Sequence, residues 1–334
     1  MNVDGFRAAS LRRLRSVVSI DAAFYATVDH ATMLMTSALT EEPLAGAALE
    51  FLDNEFGVDD VNKFATVADS AVPVASLDWA TGGDRKMSPR YRDLMAPLGM
   101  GDEVRIALLS RGRCWGVMCL HREDDDQGYD DDELAFLSAA APLLGEGLRR
   151  ALAVTGGVAS EPIPGGPGVL ILSPDLSVIS RNAQAERWLA AVHDRDWPSS
   201  MHLPVAVLAA AASTRDGDPD TAVQRTRVHR TDGGWMTVYA SPLEGHDTQV
   251  VVVLDTPEPD ELTSLALSAH GLTPAQTRVA ALVLRGRSTQ QIVNELGISG
   301  YTVQEHLRRV FDKFGVGSRR ELVAALTTRA AGHG

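Results

Sequence analysis

LTPAQTRVAALVLRGRSTQQIVNELGISGYTVQEHLRRVFDKFGVGSRRELV, residues 272–323, is a run of short helices with their caps written into the sequence. Thr273 caps a first helix whose opening position is Pro274, where a missing N–H costs nothing; Val279, Leu282 and Val283 form its buried stripe. Gly286 stops it. Ser288 caps a second helix with Ile292, Val293 and Leu296 inward, and Gly297 supplies the tight turn before Ser299. Ser299 opens a third helix over 300–314, in which Val303, Leu307, Val310, Phe311 and Phe314 recur at spacings of three and four. A fourth follows Ser318 and turns Leu322, Val323 and Leu326 toward the others. The prediction is an all-α unit of four helices.

A helix, a tight turn and a second helix with a polar, basic outer face is a geometry that enters a major groove. From Leu272 onward there are nine Lys or Arg against four Asp or Glu, about +5, whereas the whole chain is at −13, leaving about −18 elsewhere. A basic module on an acidic carrier suits DNA binding. A helical bundle used for protein contacts needs the same packing but not the charge. The stretch resembles the LuxR-type helix-turn-helix of bacterial transcription regulators at Leu272, Thr273, Pro274, Gly286, Ile292, Leu296, Ser299, Thr302, Val303, His306, Leu307, Lys313, Gly315, Val316 and Ser318. It departs at Gln276, where Glu is common, and at Gln304, where Lys is common. In such a domain Gln304, Glu305 and Arg308 lie on the side of the third helix that faces bases, and Thr302, Arg309, Lys313 and Arg319 lie where phosphates run. The resemblance implies that His306 is structural.

Elsewhere the composition, 45% hydrophobic and 22% charged over 334 residues, is that of an ordinary globular protein of two to three domains. No run approaches the length of a membrane span, and the arginines before Val17 lead into no signal-peptide pattern, so a cytoplasmic protein is expected. Cys114 and Cys119 are the only cysteines. Five positions apart on a strand they face opposite sides, roughly 16 Å apart, so they read as buried thiols and not as a disulfide.

Residues 5–20 suggest an amphipathic helix with Phe6, Leu11, Leu14, Val17 and Val18 on one side. Two strand-like runs, AFYATVD and ATMLMTSA, meet in a hairpin at Asp29 and His30; helical stretches follow over 42–54 and 59–68. EVRIALLS and CWGVMCLHR flank a second hairpin turn at 111–113. EDDDQGYDDDE then opens a helix near Asp131; it is no calcium loop, because with Gly128 fixing the register the twelfth position is Leu134. The words SALTEEPLAG, LDNEFGVDDVNKF and GRCWGVMCLHRE resemble the GAF domain of actinobacterial LuxR-type regulators, an α+β sensor over 18–152. Such a domain implies a cleft for a small-molecule or protein effector between the sheet and the helices of 42–68, with Phe24, Tyr25, Trp79 and Trp115 as candidates for its walls. In the closing helix Leu134, Leu137, Ala141, Leu144, Leu148 and Ala151 make a seam, which serves either a dimer or packing on its own sheet.

A Gly- and Pro-rich linker occupies 153–165, without the Lys-Ser or Lys-Thr of a phosphate loop. Residues 166–255 alternate a two-strand hairpin, helices and three β-rich runs, and resemble a small α+β PAS-like domain. It has no cysteine for flavin-adduct chemistry, and its histidines lie in polar contexts unsuited to haem. A connector over 256–271 leads to the helix-turn-helix of 272–329. No nucleophile elbow, HExxH, Walker lysine or receiver-type acid pair occurs, so no enzyme is expected, no metal site is assigned, and the sequence requires no cofactor. The reading is a transcriptional regulator binding double-stranded DNA as a homodimer, with no membrane attachment; Leu322–Leu326 and the 134–151 seam are its expected dimer contacts. The alternative is a protein-interaction adaptor whose helix-turn-helix has lost DNA affinity.

Overall fold

The structure, a computed structural model, describes residues 2–123, 128–155, 163–192, 202–214, 223–243, 249–258 and 267–327. Its first part is a five-stranded antiparallel sheet in the order β2-β1-β5-β4-β3, from β1 (Ala22–Val28), β2 (Met35–Thr40), β3 (Val74–Ser76), β4 (Met100–Ser110) and β5 (Arg113–Glu123). Both expected hairpins are present. Arg111 and Gly112 have φ of 54° and 72° between the paired Ser110 and Arg113, the two-residue turn whose twist matches that of the strands it joins. One sheet face carries α2 (Ala48–Gly57) and α3 (Phe64–Asp69), preceded by a 3₁₀ turn at Leu44–Ala47. Residues 70–99, which show no periodicity, form β3, α4 (Leu77–Thr81) and a π-helical turn at Tyr91–Met95.

The other face carries α5 (Asp131–Thr155), whose start is tied by reciprocal bonds between Asp130 and Glu133. Its seam is spent on its own domain. Leu137, Ala141 and Leu148 are fully buried with Val104, Ile106, Leu108 and Met118, so of the two uses open to the seam the sheet takes it. Gly145 lets the helix approach, since a Cβ there would lie 2.4 Å from the Leu109 carbonyl oxygen. α1 (Val3–Leu14) packs against α5 and buries Leu11 and Leu14 in the same cluster, so the first domain takes in residues ahead of the expected start at 18. The cysteines also differ from expectation. A bulge sets Leu108 opposite Gly116 but Leu109 opposite Cys114, and the extra residue brings Cys114 into the same cluster as Val117 and Cys119.

The middle part repeats the strand order. β6 (Gly168–Leu172), β7 (Val178–Arg181), β8 (Gln224–His229), β9 (Trp235–Pro242) and β10 (Val250–Asp255) form an antiparallel sheet β7-β6-β10-β9-β8. α6 (Ala183–Ala190) is capped by Asn182. α7 (Val205–Ala212) is buried at every position, between β8–β10 of its own sheet and β2 and α2 of the first domain. Both domains therefore contribute to one apolar cluster. Across this contact Arg227 of β8 donates to Asp29 through Nη2 at 2.6 Å and Nε at 2.8 Å, both residues buried. Burial alone would raise the Asp29 carboxyl, but the Arg227 guanidinium holds it below its ordinary value. Residues 156–162 of the expected linker and 259–266 of the connector lie outside the described residues.

The C-terminal unit is helical throughout: α8 (Pro274–Leu284), α9 (Thr289–Leu296), α10 (Gly300–Phe314) and α11 (Arg319–Thr327). Thr273 with Gln276 and Ser288 with Gln291 form complete capping boxes, each side-chain pair satisfying two backbone donors that the helix start would otherwise leave unmet. Leu322 and Leu326 are buried in this unit's own core with Val279, Ile292, Val303 and Leu307. They are not free for a dimer.

Candidate nucleic-acid interface and sensor cavity

α10 separates its residues by periodicity. Val303, Leu307 and Val310 are buried, while Tyr301, Gln304, Arg308 and Arg309 are exposed on the opposite side. Gly297, at φ 64°, closes α9 and sets the angle between the two helices. Ser299 caps α10, accepting from the Thr302 amide at 3.1 Å, and the two hydroxyls lie 2.8 Å apart.

On the outer face Glu305 receives Arg308 Nε and Nη2, each at 3.2 Å, and Arg309 Nε at 2.9 Å. These bonds from Arg308 and Arg309 hold its carboxyl down at about 2, and the same contact raises Arg308. Glu305 is thus ionised, with both oxygens occupied by two guanidiniums. Gln304 Nε2 lies 3.4 Å from the Thr289 hydroxyl, which also accepts from Arg319 Nη2 at 2.8 Å; Arg319 Nη1 reaches the Arg287 carbonyl at 3.0 Å. Thr289 at the start of α9 therefore gathers one expected base reader and one expected phosphate contact. Sequence reasoning passed over Thr289, as it did Tyr301, which is 82% exposed on the stripe of Gln304 and Arg308. The i, i+3, i+7 spacing was signal enough for Tyr301.

The expected phosphate contact at Lys313 is not available in this arrangement. Its ammonium points inward, donating to the Gly271 carbonyl at 2.6 Å and to Gln276 Oε1 at 2.7 Å. Burial and the nearby Arg111, Arg149 and Arg309 lower its pKa. Gln276, one of the two departures from the LuxR pattern, completes the capping box and receives Lys313 with the same amide oxygen.

The first domain holds a cavity of about 20 Å³ between its sheet and α2, walled by Phe24, Leu44, Ala48, Phe51 and Leu94, with Thr40, Arg90, Glu103 and His121 as its polar part. That is room for one water-sized group. The cleft lies where the sequence places it, but its walls differ. Only Phe24 of the four expected aromatics lines it: Tyr25 and Trp115 point to the α5 side, and Trp79 is 69% exposed. Alternation along β1 separates Phe24 from Tyr25. Phe51, 4.7 Å from Phe24 between centroids, takes the second aromatic place.

Beneath the cavity Glu103 accepts from Arg90 at 2.8 Å and Arg105 at 3.2 Å; Arg105 also reaches Glu55 at 2.5 Å, and Arg90 pairs with Asp60 at 3.5 Å. Burial opposes the Glu103 charge, yet Arg105 and Arg90 keep its carboxyl far below its ordinary value. Glu103, Cys119 and His121 bring ligand-type atoms within 4.8 Å of one another. With two guanidiniums bound to its only carboxylate, that cluster does not fit a cation. Burial pushes the His121 imidazole down to about 4 and the Cys119 thiol well up, so both are neutral near pH 7. Among the described residues no helix is long and apolar enough to cross a membrane.

Comparison with known proteins identifies both ends. Residues 270–326 match the family of bacterial regulatory proteins, luxR family, and residues 10–148 match the GAF domain. A putative HTH-type transcriptional regulator in the exeN 3' region of Aeromonas salmonicida is 30% identical over 115 residues, 31% of this chain; the match spans 58% of that relative's length. Among solved structures, the GAF domain/HD domain protein from Geobacter sulfurreducens shares 14% identity, 45% of this chain and 93% of its own, with a TM-score of 0.30. Escherichia coli SdiA shares 10% identity, 98% of this chain and 92% of its own, at 0.35. TM-scores this far below 0.5 establish no common overall fold. The chain is a multidomain protein that joins a GAF domain at residues 10–148 to a helix-turn-helix domain of the luxR family of bacterial regulatory proteins at residues 270–326.

Proposed function

We propose that this protein is a non-enzymatic transcriptional regulator of the cytoplasm that binds double-stranded DNA through α10 under the control of its sensor domains. The observation that carries the reading is the outer face of α10, where Tyr301, Gln304, Arg308 and Arg309 stand exposed on a helix whose other face is anchored in a complete core. Gln304 and Arg308 are the base readers, by bidentate pairing with adenine and guanine; Thr302, Arg309 and Arg319 meet phosphates. Glu305 acts by holding Arg308 and Arg309 in position, since reading cytosine would require it to release both.

Binding is as a homodimer, because one recognition helix covers too few base pairs for useful discrimination. With the α5 seam and the side chains of Leu322 and Leu326 committed inward, the outer stripe of α5, Phe136 and Leu143, is the apolar surface it leaves to a second copy. The GAF cavity receives the effector. At its present size a ligand larger than water enters only if α2 or the π-helical turn moves outward. The middle domain serves as a second, PAS-like sensor, a reading supported by a sheet with the same strand order as the first.

The deciding experiment is selection of bound fragments from random DNA by the full chain, followed by binding at several salt concentrations. A selected motif with affinity that falls steeply with salt supports the reading. A protein that shifts no DNA at low salt is an adaptor, and the regulator reading fails. Arg308→Ala should flatten preference at particular bases, whereas Arg319→Ala should weaken all sequences alike.

A further inference from the structure

Residues 268–271, which lead into α8, are held from both sides, one residue after another. The Ser268 hydroxyl accepts from Arg113, and the Ala269 carbonyl accepts from Arg149. The His270 ring stacks on Phe314 at the end of α10, centroids 4.1 Å apart and planes at 5°. The Gly271 carbonyl accepts from Arg111 Nη1 at 2.7 Å and from Lys313 Nζ at 2.6 Å. Arg111 lies in the β4–β5 turn, Arg113 opens β5 and Arg149 lies on α5, so three sensor arginines and two residues of the recognition helix meet on one short piece of backbone. Gly271 has φ 71°, and a Cβ there would stand 2.6 Å from the Arg111 guanidinium.

A simple tether leaves its carbonyls to water. Here the carbonyls take charge-assisted bonds, stronger than neutral ones. Glu146 orients the donors, accepting from Arg149 at 2.7 Å and Arg150 at 2.8 Å and lying 3.9 Å from Arg111. The clasp grips the C-terminal end of α10, Lys313 and Phe314, while Tyr301, Gln304 and Arg308 remain exposed. It orients the reading face without covering it. Arg113 also lies 3.1 Å from His30 Nε2, next to the Asp29 that holds Arg227 of the middle domain. The β1–β2 loop and the β4–β5 turn thus touch all three parts of the molecule.

We propose that Arg111, Arg113 and Arg149 are positioning residues for DNA binding: by holding residues 268–271 they fix the direction of α10 relative to the sensor and so set which half-site spacing a dimer accepts. This rests on the dimeric DNA-binding reading above. The test uses the full chain, the Arg111→Ala/Arg149→Ala double variant, Gly271→Ala, which breaks the contact without removing a charge, and Arg111→Lys, which keeps a donor. Two quantities are read: amide hydrogen exchange of the segment 267–272, which needs no DNA, and affinity for the selected operator with native spacing and with five base pairs inserted. In the double variant and in Gly271→Ala, exchange should rise by about tenfold or more, and discrimination against the inserted spacing should shrink by about tenfold while affinity for a lone half-site holds. Arg111→Lys should restore much of both. Unchanged exchange shows that there is no clasp and overturns the proposal; faster exchange with an unchanged spacing profile overturns the positioning role alone. If no DNA binds at all, the regulator reading falls and positioning for DNA falls with it, while exchange still reports whether the sensor holds the connector.

Discussion

The two five-stranded sheets share one strand order and carry opposite contents on the face their helices cover. On the first, Glu103, Arg105 and His121 lie buried beneath α2 with Arg90, beside a small cavity. On the second, Met236, Val238, Val250 and Val252 meet α7, whose eight residues are all apolar and buried. Connectivity leaves the content of a sheet face open. Charges in low dielectric must be paired and hydrogen-bonded, whereas an Ala- and Val-rich helix closes on a sheet with no polar partners to satisfy.

The largest effect is expected at the ion network. Glu103→Ala leaves Arg90 and Arg105 short of a carboxylate in a buried site, and we expect a loss of about 3–5 kcal/mol in urea unfolding of the full chain. A loss below about 1 kcal/mol would show that Asp60 and Glu55 suffice for both arginines.

Next is pH. Burial pushes His30 and His121 down to about 4 from 6.5, so between these values the unfolded chain binds protons that the folded chain refuses. The histidine contribution is full above about pH 6.5, falls as the pH drops toward 4 and is lost below, by up to about 3 kcal/mol for each histidine. Unfolding midpoints measured from pH 7.5 to 4 check the sign. His121→Gln should lessen the slope, and a slope unmoved by it would assign the effect elsewhere.

Enlarged side chains should be tolerated differently on the two sheets. Ala209→Leu forces a larger side chain into α7, fully buried between two domains, and should cost about 1–3 kcal/mol. Ala48→Val points into the cavity, where space exists, and should change stability by less than about 1 kcal/mol. Equal costs at the two sites would mean that the cavity is as tightly filled as the α7 contact.

Much of the fold was legible because its signals are local. The caps at Thr273, Ser288 and Ser299, the stripe of Val303, Leu307 and Val310, and the two hairpins around 29–30 and 111–113 depend on neighbours a few residues away. The exposed positions of Gln304 and Arg308 follow from the same periodicity. The short β3 and the π-helical turn, three and five residues long, were not legible, since pieces of that size show no period.

A basic helix-turn-helix that follows two α+β parts of an acidic chain was legible in the residues alone, because periodicity, capping and charge are properties of short windows. Tertiary structure alone decided what the exposed-looking residues do. Lys313 turns inward to a carbonyl 42 residues away, Arg111 meets that same carbonyl across 160, and Asp29 closes on Arg227 across 198. Leu322 and the α5 seam, which suit a partner equally well, are taken by their own cores. No local pattern distinguishes an arginine that will face phosphate from one that will hold a distant backbone, because the choice depends on which buried acceptor the packed domains bring within reach.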